Sequence, residues 1–178
     1  MRASEYARLD AQEQVYLDFT GGGLHAASQV QAHVKMLNDE VLGNPHSVNP
    51  SSTKMTHRVE QARTAVLDYF NGAGEYTAIF TLNASAALKL VGEAYPFTPG
   101  GVFLLSYDNH NSVNGIREFA CHKGAAATYI PVREEDLRLD EEQVRTALHG
   151  AGAGSAKLFA YPAQSNSVSY THLTLPTN

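Results

Sequence analysis

Cysteine is almost absent from this 178-residue chain, where Cys121 stands alone. That excludes an intrachain disulfide framework and any zinc site built on several cysteines. No apolar run approaches the roughly 18 residues that a membrane-spanning helix needs. Long basic runs are missing too, and the formal net charge is -5, which disfavours a nucleic-acid or membrane-surface binder. GxSxG, P-loop and GxGxxG patterns do not occur, against the usual hydrolase, NTPase and dinucleotide-binding readings. The N-terminus, MRASEYARLDAQEQ, is polar and acidic, unlike a signal peptide, so a soluble cytoplasmic protein is expected. What remains is an ordinary globular balance, 43% hydrophobic and 17% charged. It suits one domain, or part of a larger one, able to bury roughly two-thirds of its unfolded surface.

Short apolar strands alternate with helical patterns. Val15–Phe19 reads as a strand running into Gly21-Gly22-Gly23. Residues 28–42 read as a helix with Val30, Val34, Leu37 and Val41 on one face. Residues 43–52 form a polar loop, and Thr53 to Phe70 an amphipathic helix ended by Gly72. Strands are expected at 76–81, 102–106, 128–132 and 157–161, with helices at 85–95, 111–122 and 141–149. Asp140 caps the last of these, with Gln143 at capping-box spacing. This order predicts an α/β fold with a largely parallel sheet flanked by helices.

Ligands of open α/β sheets bind beyond the carboxyl ends of the strands, and three loops there carry unusual polar content. Thr81-Leu82-Asn83-Ala84-Ser85 opens a helix with small residues. Free N–H groups at such a start can hold a phosphate, with Ser85 adding a hydroxyl; the same residues also make an ordinary N-cap. Asn83 tolerates a left-handed conformation if the turn needs one. Tyr107-Asp108-Asn109-His110-Asn111-Ser112-Val113 places a histidine where it can stack on an aromatic ligand or move protons, or simply hydrogen-bond its own loop. Tyr161-Pro162-Ala163-Gln164-Ser165-Asn166 supplies amides for a ligand oxygen, or for a turn. His25, His33, His46 and His57 follow no metal-ligand spacing, and His33 and His57 read as helix-surface residues. Cys121 falls on the apolar side of its helix, as a packed thiol.

In this order, YLDFTGGGLH, GNPHSVNPSS, VEQARTAVLDYF, FTLNASAALKLVGEAY, SYDNHNSVNGIREFA and KLFAYPAQSN resemble the class V aminotransferases of pyridoxal-phosphate (PLP) fold type I. The similarity is greatest to the cysteine desulfurase and molybdenum-cofactor-sulfurase-like branch. It covers most of residues 15–166. The resemblance implies that Ala84 and Ser85 hold the phosphate of PLP. It implies that His110 stacks on the pyridine ring, able to transfer protons, and that Asn166 lies beside the phenolic oxygen. His46 falls in a loop that approaches the substrate. The expected reaction is sulfur transfer from L-cysteine through a persulfide. The parent is expected to be a homodimer acting on a small amino acid, with no nucleic-acid or membrane partner and no metal. Another class V activity (epimerase, lyase or aminotransferase), or a non-catalytic PLP-fold interaction protein, is the alternative.

Family members join PLP to a Schiff-base lysine and set an aspartate on the ring nitrogen, which makes the ring an electron sink. Both follow the segment matching PAQSN. Lys35, Lys54, Lys89, Lys123 and Lys157 have no such context, and Cys121 does not match the sulfur-accepting cysteine. The resemblance therefore implies an incomplete large domain over residues 1–167, inactive by itself. Residues 168–178 read differently. VSYTHLTLPT is one frame of a transposon sequencing adapter, GTCTCTTATACACATCTGACGCTGCCGACG, so a non-native tail is expected there. A natural β-prone tail is the other reading.

Overall fold

The computed structural model describes residues 1–19, 21–152 and 154–165. They fall into two compact units, Met1–Phe80 and a second that begins at Thr81.

The first unit is helical. α1 (Arg2–Glu5) and α2 (Ala7–Ala11) are short, while α3 spans Ala27–Asp39 and α4 spans Pro50–Tyr69. The apolar period of α4 predicts a start at Thr53, but the helix opens at Pro50. Proline suits a first turn, where its missing N–H has no intrahelical partner to lose. Asn49 caps that turn, its side chain accepting from the Ser52 amide at 3.0 Å. Just past α3, Glu40 pairs with Lys54 at 3.1 Å and Arg58 at 2.5 Å, both on α4.

α3 ends at Asp39, short of the expected 42 and of Val41, and its apolar face is not buried. Val30, Val34, Leu37 and Val41 are all between 47% and 81% exposed. Both strand expectations here also fail. Val15–Phe19 joins no ladder among the described residues and ends in a turn, where the Asp18 carboxylate accepts from the Gly21 amide at 3.2 Å. The Tyr16 hydroxyl reaches the carbonyls of Asp18 and Gly22 at 3.0 and 2.5 Å. At 76–81 the chain joins no ladder among the described residues. The Ala78 carbonyl accepts instead from Arg63 of α4, whose guanidinium lies 5.2 Å from the Phe80 ring centre.

The second unit carries the sheet. In chain order it comprises α5 (Ala84–Ala94), β1 (Val102–Ser106), α6 (Asn111–Asn114), α7 (Ile116–His122), β2 (Ala126–Ile130), α8 (Glu141–Gly150) and β3 (Lys157–Ala160). The strands are parallel in the order β2-β1-β3, so the expected α/β class with a parallel sheet holds. β1 is central and buried along its whole length, as parallel strands covered on both faces are. β2 lies two residues earlier than the apolar pattern predicts. Its ladder opens with Val102 opposite Ala126, and Pro131, with no N–H to donate, ends it. The helix expected over 111–122 is divided at Gly115. Asp140 caps α8 by accepting from the amides of Glu142 and Gln143. Those bonds, the Gln143 bond first, hold its carboxyl below the ordinary aspartate value.

Phe103 and Leu105 of β1 pack with Phe97, Ile116, Ala120 and Ala125. Leu88 of α5 covers them from one side. The alternate β1 residues Val102 and Leu104 face the other way, and α8 lies against β1 and β2. Gly101 feeds β1 through a narrow passage. A Cβ there would stand 2.6 Å from the Ala156 carbonyl oxygen and 2.9 Å from that of Thr98. Neither is a side chain that can swing away. Gly101→Ala is therefore expected to destabilise the second unit by about 1–3 kcal/mol, the usual range for overpacking. The urea midpoint should fall with the m-value unchanged; an unshifted midpoint would show that the backbone yields.

Candidate functional site

The site grows from the carboxyl end of β1. Ser106, its last residue, is fully buried. Its hydroxyl donates to Asp108 at 2.7 Å. Next in the loop, the Asn109 side-chain amide lies 3.0 Å from three acceptors, the Ser106 carbonyl, the Ser106 hydroxyl and the Ala160 carbonyl of β3. Asn109 thus ties the ends of two neighbouring strands and sets the direction in which the chain leaves β1.

It leaves into His110, which caps α6. The His110 Nδ1 accepts from the Ser112 amide at 3.2 Å. In a neutral ring Nδ1 is then the acceptor and Nε2 carries the proton. The Ser112 hydroxyl lies 2.6 Å from the Ser85 hydroxyl in the first turn of α5. The Ser85 and Ser112 hydroxyls thus bring residues 83–85 and 110–112 together, although only the second of these loops follows a strand among the described residues. Asn83 is extended, not left-handed, and serves as the N-cap of α5. Its side chain accepts from the Ala86 amide at 2.9 Å and its carbonyl from that of Ala87 at 3.2 Å. The amides of Ala84 and Ser85 have no hydrogen-bond acceptor among the described residues. Two free amides at the positive end of an 11-residue helix, with a hydroxyl beside them, suit an anion.

The remaining candidates belong to the first unit, fall outside the described residues, or differ from expectation. His46 belongs to the first unit, in a loop held by its own amide donating to the Thr56 hydroxyl at 2.8 Å. Its φ of 71° is a left-handed backbone that histidine adopts at some cost. Ser165 is fully buried, whereas Asn166 lies outside the described residues, as does the 168–178 tail. Cys121 is exposed, which corrects the expectation of a packed thiol. Ile116 and Ala120 take the buried side of α7, and the next position turns about 100° away. His33 and His57 are exposed on their helices, as expected. Among the described residues no three His, Cys, Asp or Glu side chains group as a metal site. No described helix is long and apolar enough to cross a membrane.

The sequence reading missed Ser112. It lay inside a loop already marked as polar, but its link to Ser85, 27 residues away, is a tertiary fact. A concavity of about 770 Å³ lies beside α8 and β3, lined by Arg133, Arg138, Arg145, Phe159 and Tyr161 among others. It shares no residue with the Ser85–His110 group.

A model of the aminotransferase class-V family matches residues 15–168. The chain belongs to that family. It is 38% identical over 183 aligned residues to the molybdenum cofactor sulfurase of Solanum lycopersicum, covering 93% of this chain and 22% of that protein. Among solved structures it resembles the cysteine desulfurase of Thermococcus onnurineus, with a TM-score of 0.75 and 25% identity. That match covers 93% of this chain and 40% of that one. It also shares the fold of a C-DES mutant with glycine covalently linked to its PLP cofactor (TM-score 0.64, 16% identity, 90% and 40% covered). The chain thus spans about a fifth of the curated relative and two-fifths of the solved ones. It carries part of the class V fold, as the order of its motifs suggested.

The free amides of Ala84 and Ser85 fit the phosphate end of such a cofactor. The lysines do not fit its aldehyde end. Lys35, Lys54 and Lys89 pair with Asp39, Glu40 and Glu93. Lys123 donates to the carbonyls of Glu93 and Tyr95, and Lys157 to that of Leu148.

The geometry gives one direct test. Asn109→Ala removes the side-chain donor that the Ala160 carbonyl shares with the end of β1. It should cost about 1–3 kcal/mol and raise amide exchange at residues 106–112 more than elsewhere. Uniform exchange across the second unit would mean that Asn109 does not hold the loop.

Proposed function

We propose that this chain is the phosphate-holding and ring-stacking half of a PLP-dependent enzyme that transfers sulfur from L-cysteine. The observation that carries the reading is the meeting of Ser85 and Ser112 at 2.6 Å, with His110 fixed beside them. Family membership and the likeness to molybdenum cofactor sulfurases support it. Ala84 and Ser85 donate to the phosphate, and His110 lies against the pyridine ring. Asn166 serves the phenolic oxygen, and His46 approaches the substrate. PLP, when bound, supplies an electron sink that weakens bonds to the substrate's α and β carbons. In the complete protein a cysteine thiol accepts the sulfur as a persulfide and L-cysteine leaves as alanine, so that atoms balance. The parent is a cytoplasmic homodimer whose substrate is a small amino acid, not a nucleic acid or a membrane.

The chain itself has no lysine for the covalent step, and we propose that it is inactive. With L-cysteine and added PLP, the purified 178-residue chain should form neither alanine nor sulfide. The full gene product should form alanine together with protein-bound sulfane sulfur in equal amounts. Turnover by the short chain would overturn its inactivity. Racemisation or transamination by the full product, without sulfur release, would replace the desulfurase reading with another class V activity.

We also propose that residues 168–178 are adapter-derived and lie outside the native domain of residues 1–167. Genomic DNA read across codons 160–178 should depart from this sequence near codon 167. A genome that encodes VSYTHLTLPTN would end that proposal.

A further inference from the structure

The Ser85–Ser112 contact poses a question of proton direction. Each hydroxyl has one proton and two acceptor lone pairs. At 2.6 Å one of the two donates to the other. If Ser85 donates to Ser112, its proton is spent and it can only accept, which sets lone pairs against an incoming anion. If Ser112 donates to Ser85, the Ser85 proton is free to point at an anion beside the open amides of Ala84 and Ser85. A hydroxyl that accepts is also the stronger donor, because chained hydrogen bonds polarise one another.

From this we infer that Ser112 is a positioning residue for the phosphate, acting through Ser85: its hydroxyl donates to Ser85 and frees the Ser85 proton for a phosphate oxygen. The inference rests on Ala84 and Ser85 being the phosphate-holding pair. The backbone of Ser112 meanwhile donates to the His110 Nδ1. One residue thereby fixes both the ring of His110 and the polarity of the hydroxyl pair. Both serines face open space, Ser85 exposed and Ser112 half-buried, so neither hydroxyl is a core requirement.

The test uses pyridoxamine 5'-phosphate, whose amine cannot condense with the chain's lysines, against pyridoxamine without the phosphate. The purified 178-residue chain is titrated with each by calorimetry. The phosphate should confer tighter binding. Ser85→Ala should weaken the phosphorylated ligand about tenfold, the usual loss for a hydrogen bond to a charged group. Ser112→Ala should weaken it roughly threefold, Ser112→Thr should restore it, and pyridoxamine binding should not change.

The double variant decides the route. If Ser112 acts through Ser85, adding Ser112→Ala to Ser85→Ala costs nothing further. A Ser112→Ala effect that persists undiminished in the Ser85→Ala background would overturn the inference, and so would no effect in the wild-type background. If the wild-type chain shows no preference for the phosphorylated ligand, the phosphate reading of Ala84 and Ser85 falls first, and the inference with it. Thermal unfolding of the variants should coincide with wild type, separating loss of binding from loss of fold.

Discussion

The side-chain amide of Asn109 is the constraint on which the site end of the sheet depends. It has two protons and three acceptors within 3.0 Å, so at least one bond is shared. Two acceptors belong to the end of β1 and the third to the end of β3. Parallel neighbours cannot be joined by a tight turn, and here a single side chain closes the gap between their ends. Because β1 is buried and paired on both sides, its end is a fixed point. The chain therefore enters His110 from a fixed direction. His110 in turn caps α6 and sets Ser112 against Ser85. Without the Asn109 tie, the histidine would depend on a four-residue helix, too short to hold itself.

The two units differ in how far local pattern decides structure. In the first, the helical periods of α3 and α4 are legible because they depend on i, i+3 and i+4 spacing within one segment. Burial is a different quantity, since it needs a partner surface. Val34 and Leu37 stand on the expected face of α3 and are still 48% and 53% exposed. Tyr76, Ile79 and Phe80 have the composition of a strand, but a strand exists only in a ladder. Between them, the Ala78 carbonyl accepts from the Arg63 guanidinium instead. Val15–Phe19 forms no strand for a more local reason, because the Asp18 carboxylate accepts from the Gly21 amide three residues on.

In the second unit the reading carried further. β1 was placed to the residue, since a continuous apolar run between Gly101 and a polar loop leaves little choice. β2 is shifted because Gly124–Ala125 lead into the ladder at Ala126 and Pro131 has no N–H with which to extend it. The candidate site was half legible. The histidine after β1 marks a loop at the ligand end of such a sheet, and the small residues before α5 mark a helix start with unpaired amides. That Ser112 joins them depends on the distance between α5 and α6, which no local pattern contains. Cys121 fails for the opposite reason. One helical position separates it from buried Ala120, and that single step of about 100° turns it to solvent.

The division of labour within the chain follows from the chemistry each part requires. An anion can be held by what a helix start already has, namely unpaired amides and a nearby hydroxyl, so this part is built from contiguous residues. A covalent amine needs a lysine that is unpaired and aimed at the same point. All five lysines are committed elsewhere, and two hold helix ends. Lys123 donates to the carbonyls of Glu93 and Tyr95 at the end of α5, and Lys157 to that of Leu148 near the end of α8. Helix C-termini carry unsatisfied carbonyls and negative partial charge, where an ammonium is favoured. Drawing either amine towards Ser85 would forfeit that bond and leave a carbonyl unpaired. The unpaired amides and hydroxyls that suit an anion are thus contiguous with one helix start, while the chain's amines are occupied in ion pairs and at helix ends.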